Sequence, residues 1–534
     1  MIKKRVCSFA LVILMLLLLV LPGCTNQEST ANKLVVYIEY NGALGTEDDA
    51  VEKAIEEKFF QDTGIEIDLQ VEAVGTDMIG QKIVTAMADT TQQIDGFVTH
   101  YGSDAPINSY IIDELTMDLT DLVQTHAPAY YGSFNSETDP SHSIYNSGMM
   151  NGKLYALSSK TRNAGWVMLI RKDYMEQTSF DPDDYDILNE NHKSLSVEDF
   201  KTMIQEMKAN TEVERPVVGR PWSLDYFFTS PFGAVSYAEQ VLDDEGNLIP
   251  AYADESYLKT LELYRWLQEE KLWTENPSNA QNLLNYFISG KGAIYLDWPE
   301  VTSQIDVARQ LKEATGVDCI FIEPLLCDGS DSETNGNSRI NGAFSGLAIP
   351  IKSSNSELLL KYINWLYADV ANYELAMYGI PGEHWNKVVS ADGTQCWEYP
   401  HDKKEQYEKA LPYSGKFCFV EDYHISDLLK NDYTEAEREI VTDVQNFPVY
   451  PSDGYATEGM ILPGVPATER TLRNVANAHF DEYVSMRAYA WSDAAFPNGQ
   501  TLSSMWTQMR DNLYGDYFAY ITYNTQNYNE VIGQ

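Results

Sequence analysis

The fold is decided by three short apolar segments near the start of the chain: Leu34-Val-Val-Tyr-Ile-Glu-Tyr40, Ile65-Glu-Ile-Asp-Leu-Gln-Val71 and Ile94-Asp-Gly-Phe-Val-Thr-His100. Each is short enough for a single strand and rich in β-branched or aromatic residues. The second alternates apolar and polar side chains, which is typical of a strand with one buried face. We therefore predict three strands here.

The segments between these strands have helical spacing. Within residues 48–62, apolar side chains recur at every fourth position from Val51 to Phe59, which is one face of a helix. Thr63-Gly64 is expected to end that helix, and residues 79–87 are predicted to form the next one. A β-α-β-α-β order predicts a doubly wound α/β lobe.

Later segments continue the alternation of helices and strands. Ser196-Val-Glu-Asp199 resembles a capping box that opens a helix. Acidic residues 180–193 and the polar stretch 328–341 are predicted to be loops. Further predicted elements are a helix over 256–270, a strand over 346–351 and a helix over 356–368.

The N-terminus has the pattern of an export signal. Basic residues 1–5 precede the apolar run 6–21, which is shorter than the roughly 20 residues that span a membrane. Leu21-Pro-Gly-Cys24 then resembles the bacterial lipobox, whose thiol carries a diacylglyceryl group. We expect residues 1–23 to be a lipoprotein signal peptide and residues 24–32 a tether. The protein would be lipid-anchored through Cys24 on the extracellular face of the cell membrane; the alternative is an ordinary signal peptide with a chance cysteine.

Composition limits the possible partners. The 534 residues carry a formal net charge of -43, which repels nucleic acid and anionic lipid. The length suits two or three domains, and no second apolar run reaches membrane length. Tyr and Trp, at 35 and 10 residues, provide flat amphipathic surfaces that suit neutral polar ligands such as sugars, although most are expected to pack in cores.

The cysteines indicate no metal or redox site. Export permits disulfides among Cys319, Cys327, Cys396 and Cys418, and four cysteines allow three pairings. The most local choice is Cys319–Cys327 with Cys396–Cys418. Because no CxxC occurs, neither a zinc site nor a thioredoxin-like motif is indicated.

Four stretches of the sequence form a series: Phe59-Phe-Gln-Asp-Thr-Gly64-Ile-Glu-Ile, Leu169-Ile-Arg-Lys-Asp173-Tyr174, Ser289-Gly-Lys-Gly292-Ala-Ile-Tyr-Leu-Asp-Trp298, and Asn341-Gly-Ala-Phe-Ser-Gly346-Leu-Ala-Ile-Pro with Tyr378-Gly379-Ile-Pro-Gly-Glu-His-Trp385. Together they resemble the extracellular solute-binding proteins (family 1) of carbohydrate ABC importers. Within that family the chain resembles the branch of large Gram-positive lipoproteins similar to maltodextrin- and alginate-oligosaccharide-binding proteins. The order of these stretches over about 350 residues carries the resemblance.

The resemblance implies a two-lobed periplasmic-binding-protein-like fold of type II, with a doubly wound sheet in each lobe and the ligand in the cleft between them. It implies an oligosaccharide ligand, permease subunits of an importer as partners, and hinge closure as the mechanism. We expect a monomer with no cofactor and no catalytic residues. Lobe one is expected over 33–157 plus 346–445, and lobe two over 158–345 plus 446–534.

No metal site is expected. Many members of the family carry a calcium loop after the helix that follows the Leu169–Tyr174 segment, but Met207–Pro216 lacks the alternating oxygen ligands and the glycine of such a loop. The polar stretch 328–341 matches such a loop only in part, and a flexible surface loop is the better interpretation.

A sugar-binding site needs aromatic platforms and polar groups that hydrogen-bond to pairs of hydroxyls. In this architecture such groups lie on loops that follow strands, and Trp298 ends a strand where relatives stack a sugar. Each candidate could instead be a packing residue, and Trp385 could be a structural anchor of its turn. The residues expected to bind ligand are Tyr40, Asn41, His100, Tyr101, Asp104, Asn163, Trp222, Asp225, Trp298 and Trp385.

Motifs of common enzymes are absent from the sequence. It has no G-x-S-x-G, P-loop, G-x-G-x-x-G or HExxH. Eighty acidic residues make carboxylate pairs at glycosidase spacing inevitable by chance, so such pairs count for little. The alternatives that remain are a surface glycosidase or lyase, and a peptide-binding or signalling lipoprotein on the same fold.

Overall fold

A computed structural model describes most of the chain from Asn32 to Ile532. The described residues are 32–100, 107–134, 145–160, 166–234, 240–274, 280–298, 300–326, 345–391, 393–445, 465, 469–492 and 494–532.

Strands in this part of the chain are mostly short. They are β1 (Asn32–Glu39), β2 (Ile67–Val74), β3 (Gly96–His100), β4 (Met149–Met150), β5 (Lys153–Leu154), β6 (Ala156–Ser158), β7 (Met168–Arg171), β8 (Val217–Val218), β9 (Gln240–Leu242), β10 (Leu248–Pro250), β11 (Ile294–Tyr295), β12 (Cys319–Ile322), β13 (Ser345–Ala348), β14 (Asn386–Val389), β15 (Gln395–Glu398) and β16 (Leu429–Lys430).

Helices surround these strands. They are α1 (Thr46–Thr63), α2 (Thr76–Ala88), α3 (Ile107–Ile112), α4 (Thr120–His126), α5 (Pro128–Gly132), α6 (Lys172–Met175), α7 (Val197–Asn210), α8 (Pro221–Phe228), α9 (Glu255–Glu269), α10 (Ala280–Ile288), α11 (Val301–Thr315), α12 (Ser356–Ala368), α13 (Val370–Tyr378), α14 (Lys404–Lys409), α15 (Glu435–Gln445), α16 (Arg470–Ala490), α17 (Leu502–Tyr514) and α18 (Phe518–Ile532).

The first sheet contains the three strands predicted from the opening segments. Its order is β2-β1-β3-β13-β6, in which β1 runs parallel to β2 and β3, and β13 is antiparallel to β3 and β6. Alternate residues of β1 point to opposite faces, so Leu34 and Val36 enter one apolar core while Val35 and Tyr37 enter another. Both faces are therefore buried, as in sheets covered by helices on two sides.

The second sheet is also mixed and covered on both faces. Its order is β12-β7-β11-β8, in which β11 is parallel to β8 and antiparallel to β7. Along β7, Met168 and Ile170 enter the core that also holds residues of α7, α9 and α16–α18, while Leu169 enters a smaller core on the other face. The C-terminal helices thus complete the core of the second sheet.

The predicted helix ends agree with the structure. Gly64, with φ of 73°, ends α1, because only glycine adopts this left-handed conformation without strain. Ser196 caps α7, since its Oγ accepts a hydrogen bond from the backbone N–H of Asp199 at 3.1 Å. The Asp199 carboxylate accepts from the Ser196 hydroxyl at 2.8 Å, so the carboxylate half of the expected capping box is not formed.

Helix α15 lies with the second sheet, although the predicted boundaries assign it to lobe one. Its Ile440, Val441 and Val444 pack in the same core as Leu169 of β7. The lobe boundaries as a whole stay a prediction.

The Cys396–Cys418 pairing, part of the most local choice, does not form a disulfide. Cys396 lies on the small sheet β14-β15-β16, whereas Cys418 is buried in a core of the first sheet, and both carry free thiols. Cys319 is also free, and Cys327 lies outside the described residues. No helix in the described ranges is long and apolar enough to cross a membrane.

Candidate functional site

The carboxyl ends of β8 and β11 place a set of polar and aromatic residues at one edge of the second sheet. The two strands are parallel, so the residues that follow them emerge side by side. Arg220 follows β8, and Asp297 and Trp298 follow β11. Trp166 precedes antiparallel β7 and therefore reaches the same edge.

Arg220 and Asp297 form a bidentate ion pair at this edge. Arg220 donates from Nε to Asp297 Oδ1 at 2.7 Å and from Nη2 to Oδ2 at 2.9 Å. The Asp297 side chain is fully buried, whereas Arg220 is partly exposed. Planar pairing of this kind fixes the guanidinium in orientation as well as in position.

Four aromatic side chains form a connected set that begins beside this ion pair, and we call them the aromatic corner: Trp166, Trp222, Tyr226 and Trp298. Trp222 meets Trp298 edge-to-face, with ring centroids 5.2 Å apart and an interplanar angle of 73°. Trp166 stacks on Tyr226 at 4.1 Å. The Arg220 guanidinium carbon lies 4.8 Å from the Trp222 centroid and 5.5 Å from that of Trp298.

Two rings of the aromatic corner are open to solvent. Trp298 is 54% exposed and Trp222 is 37% exposed, which are unusual values for the largest apolar side chain. The exposed aromatic faces can stack on a sugar ring, and the partly exposed Arg220 guanidinium beside them can donate hydrogen bonds to its hydroxyls.

At the carboxyl ends of the strands of the first sheet, the predicted site residues contact neighbouring polar side chains. The Tyr40 ring lies 4.6 Å from Lys416 Nζ, and Lys416 is bonded to buried Asp48 at 2.8 Å. Asn41 pairs with Thr76 at the start of α2: its Nδ2 donates to the hydroxyl and its Oδ1 accepts from the backbone N–H, both at 3.0 Å.

His100 ends β3 and faces an acidic partner. Its Nδ1 lies 3.1 Å from Glu39 Oε2. Burial acts to raise the pKa of Glu39, but the hydrogen bond and charge of His100 outweigh it and lower that pKa. Burial raises the pKa of the Glu421 carboxyl, and the charge of His100 acts in the opposite direction. Polar groups thus gather at the carboxyl ends of the parallel strands β1 and β3.

The amino-acid sequence matches the family of bacterial extracellular solute-binding proteins over residues 42–373, which is more than half of the chain. The chain belongs to this family. Membership makes it the extracellular binding component of an ABC importer and not an enzyme. Among curated proteins, no sequence matches this solute-binding protein.

Solved structures share its fold at low sequence identity. The N-glycan transport solute-binding protein of Streptococcus pneumoniae is 14% identical, with a TM-score of 0.62 over 94% of this chain and 99% of that one. The alginate-binding protein AlgQ2 is 14% identical, with a TM-score of 0.61 over 94% and 98%. FusA of S. pneumoniae is 13% identical, with a TM-score of 0.59 over 94% and 100%. The predicted fold class is confirmed.

Of the predicted site residues, the structure brings Trp222 and Trp298 into contact and leaves both exposed. Whether they and Tyr40, Asn41 and His100 bind ligand stays a prediction. Tyr101, Asp104, Asn163 and Cys24 lie outside the described residues.

Asp225 and Trp385 are buried in the solute-binding protein, unlike Trp222 and Trp298, and their expected ligand contact stays a prediction. The Asp225 carboxylate is buried and accepts a hydrogen bond from the Tyr264 hydroxyl. Trp385 is buried, and its indole N–H donates to the Gly379 carbonyl at 2.9 Å. It anchors the turn, as the alternative interpretation held.

The sequence interpretation missed Arg220, Trp166 and Tyr226 as members of the site. Arg220 and Trp222 lie two residues apart at the start of α8, so the signal was a basic residue near an aromatic one just after a strand. Nothing near Trp166 in the sequence indicated that it belongs to this site. It stacks on Tyr226 only because β7 pairs antiparallel with β11, which brings the start of β7 beside the end of β11.

Replacing Asp225 with Asn is expected to stabilise the protein increasingly as pH rises. Burial raises the pKa of Asp225 to about 6, against the lowering effects of Tyr264 and Arg487. As pH rises from about 4 to 6, the unfolded chain releases this proton before the folded one does, and wild type therefore loses stability. The Asn side chain does not ionise and still accepts from Tyr264.

The free energy of unfolding of Asp225→Asn should therefore exceed that of wild type only slightly at pH 4 and by about 2–3 kcal/mol above pH 6. Urea unfolding at a series of pH values measures it, with exposed Asp511→Asn as the control. A gain that is independent of pH would contradict the assignment.

Proposed function

We propose that this solute-binding protein captures a neutral oligosaccharide by closure of its two lobes and delivers it to an ABC importer. The observation that carries the proposal is the aromatic corner, in which two exposed tryptophans flank the Arg220–Asp297 ion pair. This combination offers apolar faces for sugar C–H groups and oriented polar groups for hydroxyls.

Charge compensation at the corner favours a neutral sugar. Arg220 uses Nε and Nη2 for the Asp297 carboxylate, so its positive charge is already paired. Glu300, whose backbone pairs with that of Trp166, adds a nearby acidic side chain. A uronate or sialate would meet the Glu300 carboxylate, while the charge of Arg220, the cation of the corner, is already compensated by buried Asp297.

Ligands of structural relatives support an oligosaccharide. The pneumococcal N-glycan transport protein has been crystallised with Man5GlcNAc, and FusA with kestose; both are neutral. AlgQ2 binds alginate, which is acidic. At 13–14% identity these structures show only a shared fold. The choice between a neutral and an acidic ligand therefore rests on the charges of the aromatic corner.

The proposal includes a lipid anchor at Cys24. A tether over residues 24–32 would leave the lobes free to move while keeping them close to the permease subunits. Intact-mass measurement of the protein isolated from membranes tests this, since a diacylglyceryl group must be present and must disappear in Cys24→Ser.

The selectivity for neutral sugars is tested by calorimetry with Man5GlcNAc, kestose and an alginate trisaccharide. We expect at least one neutral glycan to bind with micromolar affinity and the alginate trisaccharide to bind at least about tenfold more weakly. Small-angle scattering should show contraction with the bound glycan, because the lobes close around it. Preferred binding of alginate would overturn the neutral assignment, and failure of all three and of a wider glycan array would overturn the sugar-binding proposal.

A further inference from the structure

Trp298 has a strained backbone as well as an exposed side chain. Its φ is 47°, in the left-handed region that residues other than glycine, asparagine and aspartate rarely adopt. Strain of this kind persists only where the surrounding structure imposes it. A large apolar side chain that is 54% exposed supplies little packing to offset the strain. The conformation therefore needs an explanation from its neighbours.

Gln304 supplies the constraint. This residue lies on α11 with a completely buried side chain. Its Nε2 donates to two consecutive carbonyl oxygens, that of Asp297 at 2.9 Å and that of Trp298 at 2.7 Å. One amide group thus spans the peptide units on both sides of the strained position.

The amide of Gln304 is kept buried at an energetic disadvantage. Its Oε1 has no hydrogen-bond partner in the described part of the chain, and an unpaired buried acceptor is destabilising. A residue selected only for packing would be apolar here. The buried amide is therefore explained by its two donated bonds to the Asp297–Trp298 backbone.

The same segment is held from its other side. The Asp297 carboxylate receives the two Arg220 bonds described above, and the Arg220 guanidinium also lies against the Trp298 ring. Gln304 from α11 and Arg220 from the loop after β8 therefore form hydrogen bonds to the same short segment, Asp297–Trp298. A backbone held from two sides, with the guanidinium beside the ring, restricts the orientations open to the Trp298 indole.

We propose that Gln304 is a positioning residue: it holds Trp298 in the left-handed conformation so that the indole face is preorganised for ligand. Preorganisation raises the affinity for ligand, because a rigid platform loses little conformational freedom on binding. This consequence rests on the proposed oligosaccharide function, whereas the strain at Trp298 exists without ligand.

A double-mutant cycle tests the positioning role. Gln304→Met keeps the length of the side chain but removes both donors, and it should weaken binding of the best neutral glycan of the panel about tenfold. In a Trp298→Ala background the same change should have no further effect on affinity, because nothing remains to be positioned. Gln268→Met, at another buried glutamine, on α9 at the opposite face of the second sheet, is the control and should leave affinity unchanged.

A general loss of fold would weaken binding equally in both backgrounds, and that result would overturn the proposal. So would wild-type affinity of Gln304→Met.

A second arm needs no ligand. Glycine adopts φ of 47° without strain, so Trp298→Gly should melt about 2–4 °C higher than Trp298→Ala. In the Gln304→Met variant, acrylamide quenching of Trp298, obtained by difference from Trp298→Phe, should change because the indole becomes mobile. Equal melting temperatures together with unchanged quenching would overturn the positioning role. If wild type binds no glycan, the proposed function fails while this arm still decides the role of Gln304.

Discussion

Loss of both exposed tryptophans, in Trp222→Ala/Trp298→Ala, is expected to weaken binding of the preferred neutral glycan about 100-fold. Each indole offers a sugar-sized apolar face, and a buried aromatic contact at the centre of a binding site contributes about 1–2 kcal/mol or more. The two losses together correspond to about 3 kcal/mol, which is a factor of about 100 in dissociation constant.

The melting temperature should change by only a few degrees in this variant. Neither side chain belongs to an apolar core, since both are exposed at the edge of the second sheet. Phe518→Ala removes another aromatic ring that is 47% exposed and serves as the control for surface truncation. Calorimetry and thermal melting of the three proteins separate the effects. Unchanged affinity in the double variant would show that ligand binds elsewhere.

Removal of the negative charge at Asp422 is expected to lower the free energy of unfolding more than any other substitution proposed for this protein. Lys160 and Asp422 are 2% and 1% exposed, and Lys160 Nζ lies 3.1 Å from Asp422 Oδ2. Lys160 also donates to the Ser133 carbonyl at 2.8 Å and lies 3.9 Å from the centroid of the Phe134 ring. Asp422→Asn keeps the shape but leaves a buried ammonium without its counter-charge, which costs about 3–5 kcal/mol.

Urea unfolding measures this loss, and a second substitution tests its cause. In Lys160→Met/Asp422→Asn the unpaired charge is gone, so much of the stability should return. The matched control is Glu405→Gln, which breaks the solvent-exposed pair with Lys409 and should change stability by less than about 0.5 kcal/mol. If the double variant is no more stable than Asp422→Asn, the unpaired charge is not the cause.

The position of this buried pair connects stability with function. Lys160 follows β6 of the first sheet, and the chain enters the second sheet at β7 only a few residues later. The backbones of Lys160 and Asp422 bridge in parallel, and the Lys160 N–H donates to the Glu421 carbonyl at 2.7 Å. We expect the pair to keep these two passing segments together while the lobes open and close.

Local features of the fold were predictable because they depend on neighbours in sequence. The period of Val51, Ile55 and Phe59 predicted α1, and Gly64 predicted its end. Ser196 predicted the start of α7 in the same way. These patterns act through one turn or one strand, so the sequence alone carries them.

Chain-wide features were also accessible from sequence. The order of the four family-like stretches led to the family that the match over residues 42–373 shows. The formal net charge of -43 disfavours nucleic acid as a partner whatever the fold, because it is a property of the composition.

Only the tertiary structure decided which candidate side chains work together. Arg220 and Asp297 are far apart in sequence and meet because β8 and β11 lie parallel in one sheet. Within α8, Trp222 remains exposed while Asp225 is buried against Tyr264. The sequence determined which segments form helices and strands, because backbone conformation and apolar period are local. Burial and pairing of a side chain depend on whatever another part of the chain places against it, and strand order and packing set that only in the folded protein.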